Sequence, residues 1–246
     1  MTSSVNIRNL RQVALNNGIL IESSTGVGMV AGIAANHIIA SSSMDQVAAM
    51  DSDDFPPVSI IYNARPKLPS RVYCADSKNL AIFTSEIPLP VRTHRAVAVS
   101  LLNWGVASGC GTFVTLDGIP IENNGRADDE KPRLWAIGTT DAARGAIEKA
   151  GLEQLNTGMI SGISAIMLNE GRMNRHNVIG LFAEAREDIP DAAGAATLVQ
   201  GLNKLFSPIS FSIKPLLDEA KQIQSQIEHM RRHAEPAAKD PYSIYG

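Results

Sequence analysis

Cysteine is nearly absent from this chain: Cys74 and Cys110 are the only two among 246 residues. Two thiols cannot build a disulfide framework, and their spacing is not that of a metal site. Both lie in apolar, strand-like sequence and read as buried free thiols. A surplus of charge of one sign is also lacking, since 22 Lys and Arg against 25 Asp and Glu leave a net charge of −3. No general field then attracts nucleic acid or an anionic membrane. No apolar run approaches the roughly 20 residues that span a bilayer, and the opening MTSSVNIRNLRQ has no apolar stretch of the signal-peptide kind. These absences lead us to expect a cytoplasmic protein that folds in a reducing compartment, with neither nucleic acid nor membrane as partner.

What is present is ordinary globular material, 44% hydrophobic and 19% charged, enough apolar mass to offset the entropy of ordering. Short apolar runs at Val47–Met50, Val58–Tyr62, Arg71–Ala75, Leu80–Thr84, Thr112–Leu116, Leu134–Ile137 and Val178–Ala183 read as strands. Val13–Ile21 reads as a further strand or, through Asn16-Asn17-Gly18, as a hairpin. Helices are expected over Thr25–Ile39, from Pro90 to Ala107, from the Thr139-Thr140-Asp141 cap to Gly151, and from Pro190 to Leu205. Period alone leaves Gly162–Leu168 open between helix and strand. Such alternation predicts one α/β domain over residues 1–212, with helices on both faces of a largely parallel central sheet in a three-layer sandwich.

The last forty residues differ in pattern. Ile213, Leu216, Ala220, Ile223, Ile227, Met230 and Ala234 form a heptad seam with Pro215 in its first turn, predicting an amphipathic helix over 213–234. That stripe either lies on the chain's own domain or joins copies into a homo-oligomer, for which a tetramer is the favoured expectation. Residues 235–246, EPAAKDPYSIYG, have no period and read as a flexible tail.

Several groupings are candidates for chemistry. Gly26, Gly28 and Gly32 follow a strand and open a helix, with Asp51 ending the next strand. That approximates a dinucleotide site, but the third glycine is one position late, and small residues also serve close helix packing. Asp51, Asp53 and Asp54 beside Phe55-Pro56-Pro57 place oxygens at near-alternate positions, without the glycine and distal glutamate of a calcium loop. Cys110 with His94 or His176 lacks the local signature of a nucleophile. His37 sits on an apolar helix, while His229 and His233, four apart, adjoin Arg231-Arg232 as a basic helix end. We therefore expect no catalytic constellation, no metal and no cofactor.

The C-terminal Ile244-Tyr245-Gly246 is more distinctive. Tyr is 4 of 246 residues and hydrophobics are 44%, so a hydrophobic-Tyr-X ending arises by chance in roughly one sequence in a hundred. An aliphatic side chain, an aromatic ring and a free carboxylate make a compact anchor, weak singly and useful in several copies.

Longer runs carry a resemblance. VGMVAGIAANHIIASSSMDQVAAMDSDDFPP (27–57), LAIFTSEIPLP (80–90), WAIGTTDAARGAIEKAG (135–151), MISGISAIML (159–168) and LFAEAREDIPDAAGAATLVQGLNKL (181–205) resemble, in order and spacing, the proteasome assembly chaperone family in its archaeal proteasome-binding branch. The likeness spans about residues 12–230, and the charged loop Asn123–Pro132 falls outside the resembling runs. It implies a fold similar to purine nucleoside phosphorylase without a retained phosphorylase site, self-association, and docking onto the α-ring of the 20S proteasome. In that docking Ile244 would be the hydrophobe, Tyr245 the tyrosine and Gly246 the source of the carboxylate. A nucleoside- or nucleotide-binding enzyme on the same fold is the alternative.

Overall fold

Four segments have hardly a polar face between them: Gly18–Ser23 (β2), Leu80–Ser85 (β7) and Asn177–Ala185 (β11) bury most of their residues, and Cys110–Pro120 (β8) buries its central Phe113–Leu116. Strands of this kind are stable only when both faces of their sheet are covered. In the computed structural model, which describes residues 4–121, 130–187, 189–207 and 209–234, they pair parallel in the order β7-β2-β8-β11 at the centre of a nine-stranded sheet. Antiparallel strands complete one side: Ser70–Ala75 (β6), Asp45–Asp51 (β3) and the edge strand Asn6–Asn9 (β1). On the other side Leu134–Gly138 (β9) pairs antiparallel to β11 and carries the two-residue Glu153–Gln154 (β10). Ile60–Tyr62 (β4) and Arg65–Lys67 (β5) form a separate exposed hairpin.

Helices cover both faces, as the alternation predicts. On one face lie Val30–Ser41 (α1), Asp141–Lys149 (α3), Ala192–Leu205 (α5) and the start of Lys214–Ala234 (α6), around Ile21, Leu116, Leu181 and Leu198. On the other, His94–Ala107 (α2) and Gly162–Asn174 (α4) enclose Leu20, Phe83, Leu101 and Phe113. Helix starts follow local chemistry: Thr140 Oγ1 accepts from Ala143 N at 3.1 Å, and Asp191 Oδ1 from Gly194 N at 2.9 Å.

Some expectations change. Val13–Ile21 is no hairpin, because residues 10–17 carry no strand and β2 begins only at Gly18, with Leu15 buried against α2 and β8. Gly162–Leu168 is helical. Strand β8 extends well past the Thr112–Leu116 expected, because β11 pairs with it up to Pro120. Strands β1, β5 and β10 are short, polar edge pieces without a periodic signal.

The seam of α6 is partly claimed by its own domain. Leu216 is buried in the core and Ile213 packs against it, while Ala220 and Ile223 are half-buried. The side chains of Ile227 and Met230 lie outside the described residues. The approach to α6 is pinned by Asn203, which donates from Nδ2 to the Phe211 carbonyl at 2.9 Å and accepts from Phe211 N at 2.8 Å. His37 Nε2 donates to the Ser212 carbonyl at 2.6 Å, which gives this histidine a structural task.

Gly105 sets the spacing of α2 on the sheet. A Cβ there would meet Phe113 Cε1 at 2.5 Å and Leu20 Cδ2 at 3.0 Å, and both neighbours are fully enclosed. Gly105→Ala is therefore expected to cost about 1–3 kcal/mol through overpacking. Urea denaturation should show a lower midpoint with an unchanged slope; an unchanged midpoint would mean that α2 sits looser than described.

Candidate functional site

Strands β2 and β7 are parallel neighbours, yet the helices that follow them go to opposite faces, α1 to one and α2 to the other. At such a switch point a crevice opens outside the carboxyl ends of the strands. The polar groups of the central strands collect there. Glu22, 1% exposed near the end of β2, accepts from Ser24 Oγ at Oε1, and its Oε2 lies within hydrogen-bonding distance of Thr115 Oγ1, each at 2.5 Å. Thr115 Oγ1 lies 2.7 Å from Ser164 Oγ in the first turn of α4, and Ser164 Oγ lies 3.4 Å from Asp117 Oδ2. Asp117 Oδ1 also accepts from Gly118 N at 2.8 Å.

The chain Glu22–Thr115–Ser164–Asp117 has two hydroxyl protons, and each oxygen can donate only once. With Glu22 protonated at Oε2, donation runs Glu22 to Thr115 to Ser164 to Asp117, and every oxygen is served. With Glu22 ionised, Thr115 donates to Glu22 and Ser164 to Thr115, and Asp117 Oδ2 loses its hydroxyl donor. Burial supports the first arrangement: desolvation raises Glu22 from 4.5 to about 7, against the lowering effect of Ser24 and Thr115 and with a smaller push from Asp117. Asp117 is raised as well, mainly by desolvation.

A cleft of about 670 Å³ opens in front of Asp117, walled by Val27, Ile119, Trp135, Ile160 and Phe182. Behind it a hollow of about 140 Å³ reaches Glu22, Leu89 and His94. The glycines after β2 shape this region differently from a phosphate cradle. A side chain at Gly26 would run into the Asp117 carboxylate, so Gly26 admits an acid where a pyrophosphate would be repelled. Gly28 adopts φ +58° and faces the Arg186 carbonyl, while Gly32 faces open space. Asp51 sits at the end of β3 in an ion pair with Arg8 at 3.1 Å, and Asp54 accepts from Arg92 Nε at 2.9 Å. No group of three or more His, Cys, Asp or Glu able to hold a metal occurs among the described residues.

The imagined Cys110–His94 pair is separated. His94 borders the hollow beside Leu116 and Asp117 and bonds the Leu89 carbonyl at 2.9 Å, whereas Cys110 opens β8 at its other end. Six residue steps along the strand, about 20 Å, separate Cys110 from Leu116. Burial pushes the Cys110 thiol up to about 12, the reverse of nucleophile activation, and does the same to Cys74. His176 packs edge-on against Phe113, 5.8 Å between ring centres. The anchor Ile244, Tyr245 and Gly246 lies outside the described residues, as do the side chains of His229 and His233 and residues 122–129 of the charged loop. Glu22 and Asp117 escaped sequence reasoning because each is a lone acid at the end of an apolar run, in GILIES and FVTLDG. An acid placed at the close of a strand with two apolar faces was the available signal.

Comparison with known proteins adds a frame for these features. A sequence profile of the PAC2 family matches residues 20–231. Among solved structures, Pyrococcus furiosus PbaA, an archaeal homologue of proteasome-assembly chaperone, is 31% identical over 94% of this chain and 93% of its own, with a TM-score of 0.83. PbaB of the same organism, an archaeal proteasome activator, shares the fold at 21% identity and a TM-score of 0.80, over 94% and 100% of the two chains. An uncharacterised protein of Methanocaldococcus jannaschii is 25% identical over 230 residues, 94% of this chain and 92% of the relative.

Burial of Glu22 has a measurable consequence. Its value is about 7 when folded and 4.5 ordinarily, so between those pH values the folded chain keeps a proton that the unfolded chain has released. Stability attributable to Glu22 therefore falls as pH rises through this window, by about 3 kcal/mol in all. Glu22→Gln removes the titration while keeping a neutral hydrogen-bonding group. Urea denaturation at pH 5, 6, 7 and 8 should show the variant gaining on the parent with each step and then levelling. A constant difference across the series would show that Glu22 is already ionised at pH 5.

Proposed function

The chain belongs to the PAC2 family, and from that premise we propose that it is a proteasome-associated chaperone or activator-like protein without catalytic activity of its own. The likeness to PbaA at 31% identity, over almost the whole of both chains, is the observation that carries this reading. On this proposal the protein works in the cytoplasm and docks its terminal Ile244-Tyr245-Gly246 onto the α-ring of the 20S proteasome.

Physical support for the finer part comes from how the terminus is carried. Helix α6 is rooted on the domain through Phe211, Leu216 and the Asn203 bonds, and its 21 residues run to Ala234. At 1.5 Å per residue that is an arm of about 30 Å, and the twelve residues beyond it reach about 40 Å when extended. The terminal carboxylate would meet a lysine, and Ile244 and Tyr245 an apolar slot between ring subunits. Several copies strengthen a weak anchor through effective concentration, which is the reason to expect a homo-oligomer, with a tetramer favoured. Because Leu216 is already buried, self-association through α6 would fall to Ala220, Ile223 and the positions beyond.

The test is capture of 20S particles by the parent, by Tyr245→Ala, and by a protein extended by one residue after Gly246. Loss of the ring should cost of order 2–4 kcal/mol per tail at a buried anchor. Extension displaces the carboxylate but leaves every side chain in place, so comparable loss there separates registered docking from apolar adhesion. Parent-like capture by both variants would remove the tail from the proposal, and no capture by the parent would remove the proteasome.

A further inference from the structure

The cleft at the carboxyl ends of the central strands has an uncommon balance of groups. Asp117, Thr25 and Gly162 border both the large cleft and the hollow behind it, so the Asp117 carboxylate stands at the junction of the two. Among the described residues no Lys or Arg lines either space, and His94 is the one histidine at the hollow. Neither Glu22 nor Asp117 belongs to an ion pair among the described residues. The rest of the cleft is mainly apolar, with Trp135 and Phe182 among its walls. A concave, mostly apolar space of 300–1,000 Å³ with a few convergent polar groups is the usual form of a small-molecule site.

The chemistry narrows the occupant. Anions are disfavoured by two acids without an ion-pair partner among the described residues; Arg133, whose guanidinium lies 4.7 Å from the centre of the Trp135 ring, pairs instead with Glu153. A metal ion would need more ligands than Asp117 and Glu22 supply among the described residues. A protonated amine fits, because it brings the donors that a carboxylate accepts. We propose that this cleft binds a small organic ammonium compound with an apolar body, the ammonium on Asp117 and the body against Trp135 and Phe182.

The hydroxyl chain ties such binding to a proton. An ammonium on Asp117 Oδ2 replaces the donor that Ser164 supplies, so Ser164 can turn to Thr115 and Thr115 to an ionised Glu22. The charged or titratable groups facing Glu22 are Asp117 from β8 and His94 from the head of α2; its remaining polar neighbours are Ser24, Thr115 and Ser164. Binding therefore favours release of the Glu22 proton, and affinity rises with pH across the range in which Glu22 titrates.

Three probes with one apolar body and different charge test this on the isolated protein: tryptamine, 3-ethylindole and indole-3-propionate. Calorimetry at pH 8 should show saturable one-site binding of tryptamine, at least tenfold weaker binding of the other two, and several-fold weaker tryptamine binding at pH 6. An alkylammonium stays protonated throughout, so the pH effect reports the protein. Asp117→Asn keeps an oxygen for Gly118 N and should weaken tryptamine at least tenfold. Ile160→Trp fills the cleft from its rim without touching the carboxylate, and should do the same. Absence of saturable tryptamine binding to the parent overturns the proposal, as does equal binding of all three probes or parent-like binding by the variants. Because no proteasome is present, either result leaves the docking proposal standing on its own test.

Discussion

Strands β2, β7, β8 and β11 are apolar on both faces, and nearly everything else in the molecule answers to that. Such strands cannot present either side to water, so each connection must supply a helix to one face or the other. Helices α1, α3 and α5 take one face and α2 and α4 the other. Glycine makes the closeness possible where backbone approaches side chain, as at Gly105 over Phe113. Buried polar groups on these strands must find partners, as the hydroxyl of Thr115 does with Glu22 and Ser164.

The acids near the carboxyl ends follow from the same constraint. Glu22 and Asp117 lie on adjacent parallel strands, where the neighbouring helices diverge and leave room. The hydroxyls of Thr115 and Ser164 join them, and α4 brings its first turn alongside. Charge there is expensive, which is why desolvation is the largest effect on both carboxyls. Gly26 has no side chain because the Asp117 carboxylate occupies that space. A glycine run that invites comparison with a nucleotide loop thus packs against an acid.

The C-terminal segment is organised on another principle. Only its root belongs to the core: Phe211 and Leu216 are buried, while most of the helix beyond them faces outward as far as its side chains are described. The heptad seam served two readings because one apolar stripe can seat on a domain or on a copy of itself. Leu216 decides for the domain at the first turns.

By itself the sequence determined the α/β class, the principal helices, the cap at Thr140 and the two buried thiols. These depend on local chemistry, on period, or on the plain cost of exposing apolar residues. Family membership was also legible, from the order and spacing of five runs. Only the tertiary structure decided which runs pair, that Gly162–Leu168 is helical, and that Cys110 and His94 stand at opposite ends of the sheet. It alone joined Glu22 to Asp117, 95 positions apart in sequence. The physical reason is that pairing of parallel strands is long-range: the partner of a strand is chosen by the packing of helices between them, and no local signal records that choice.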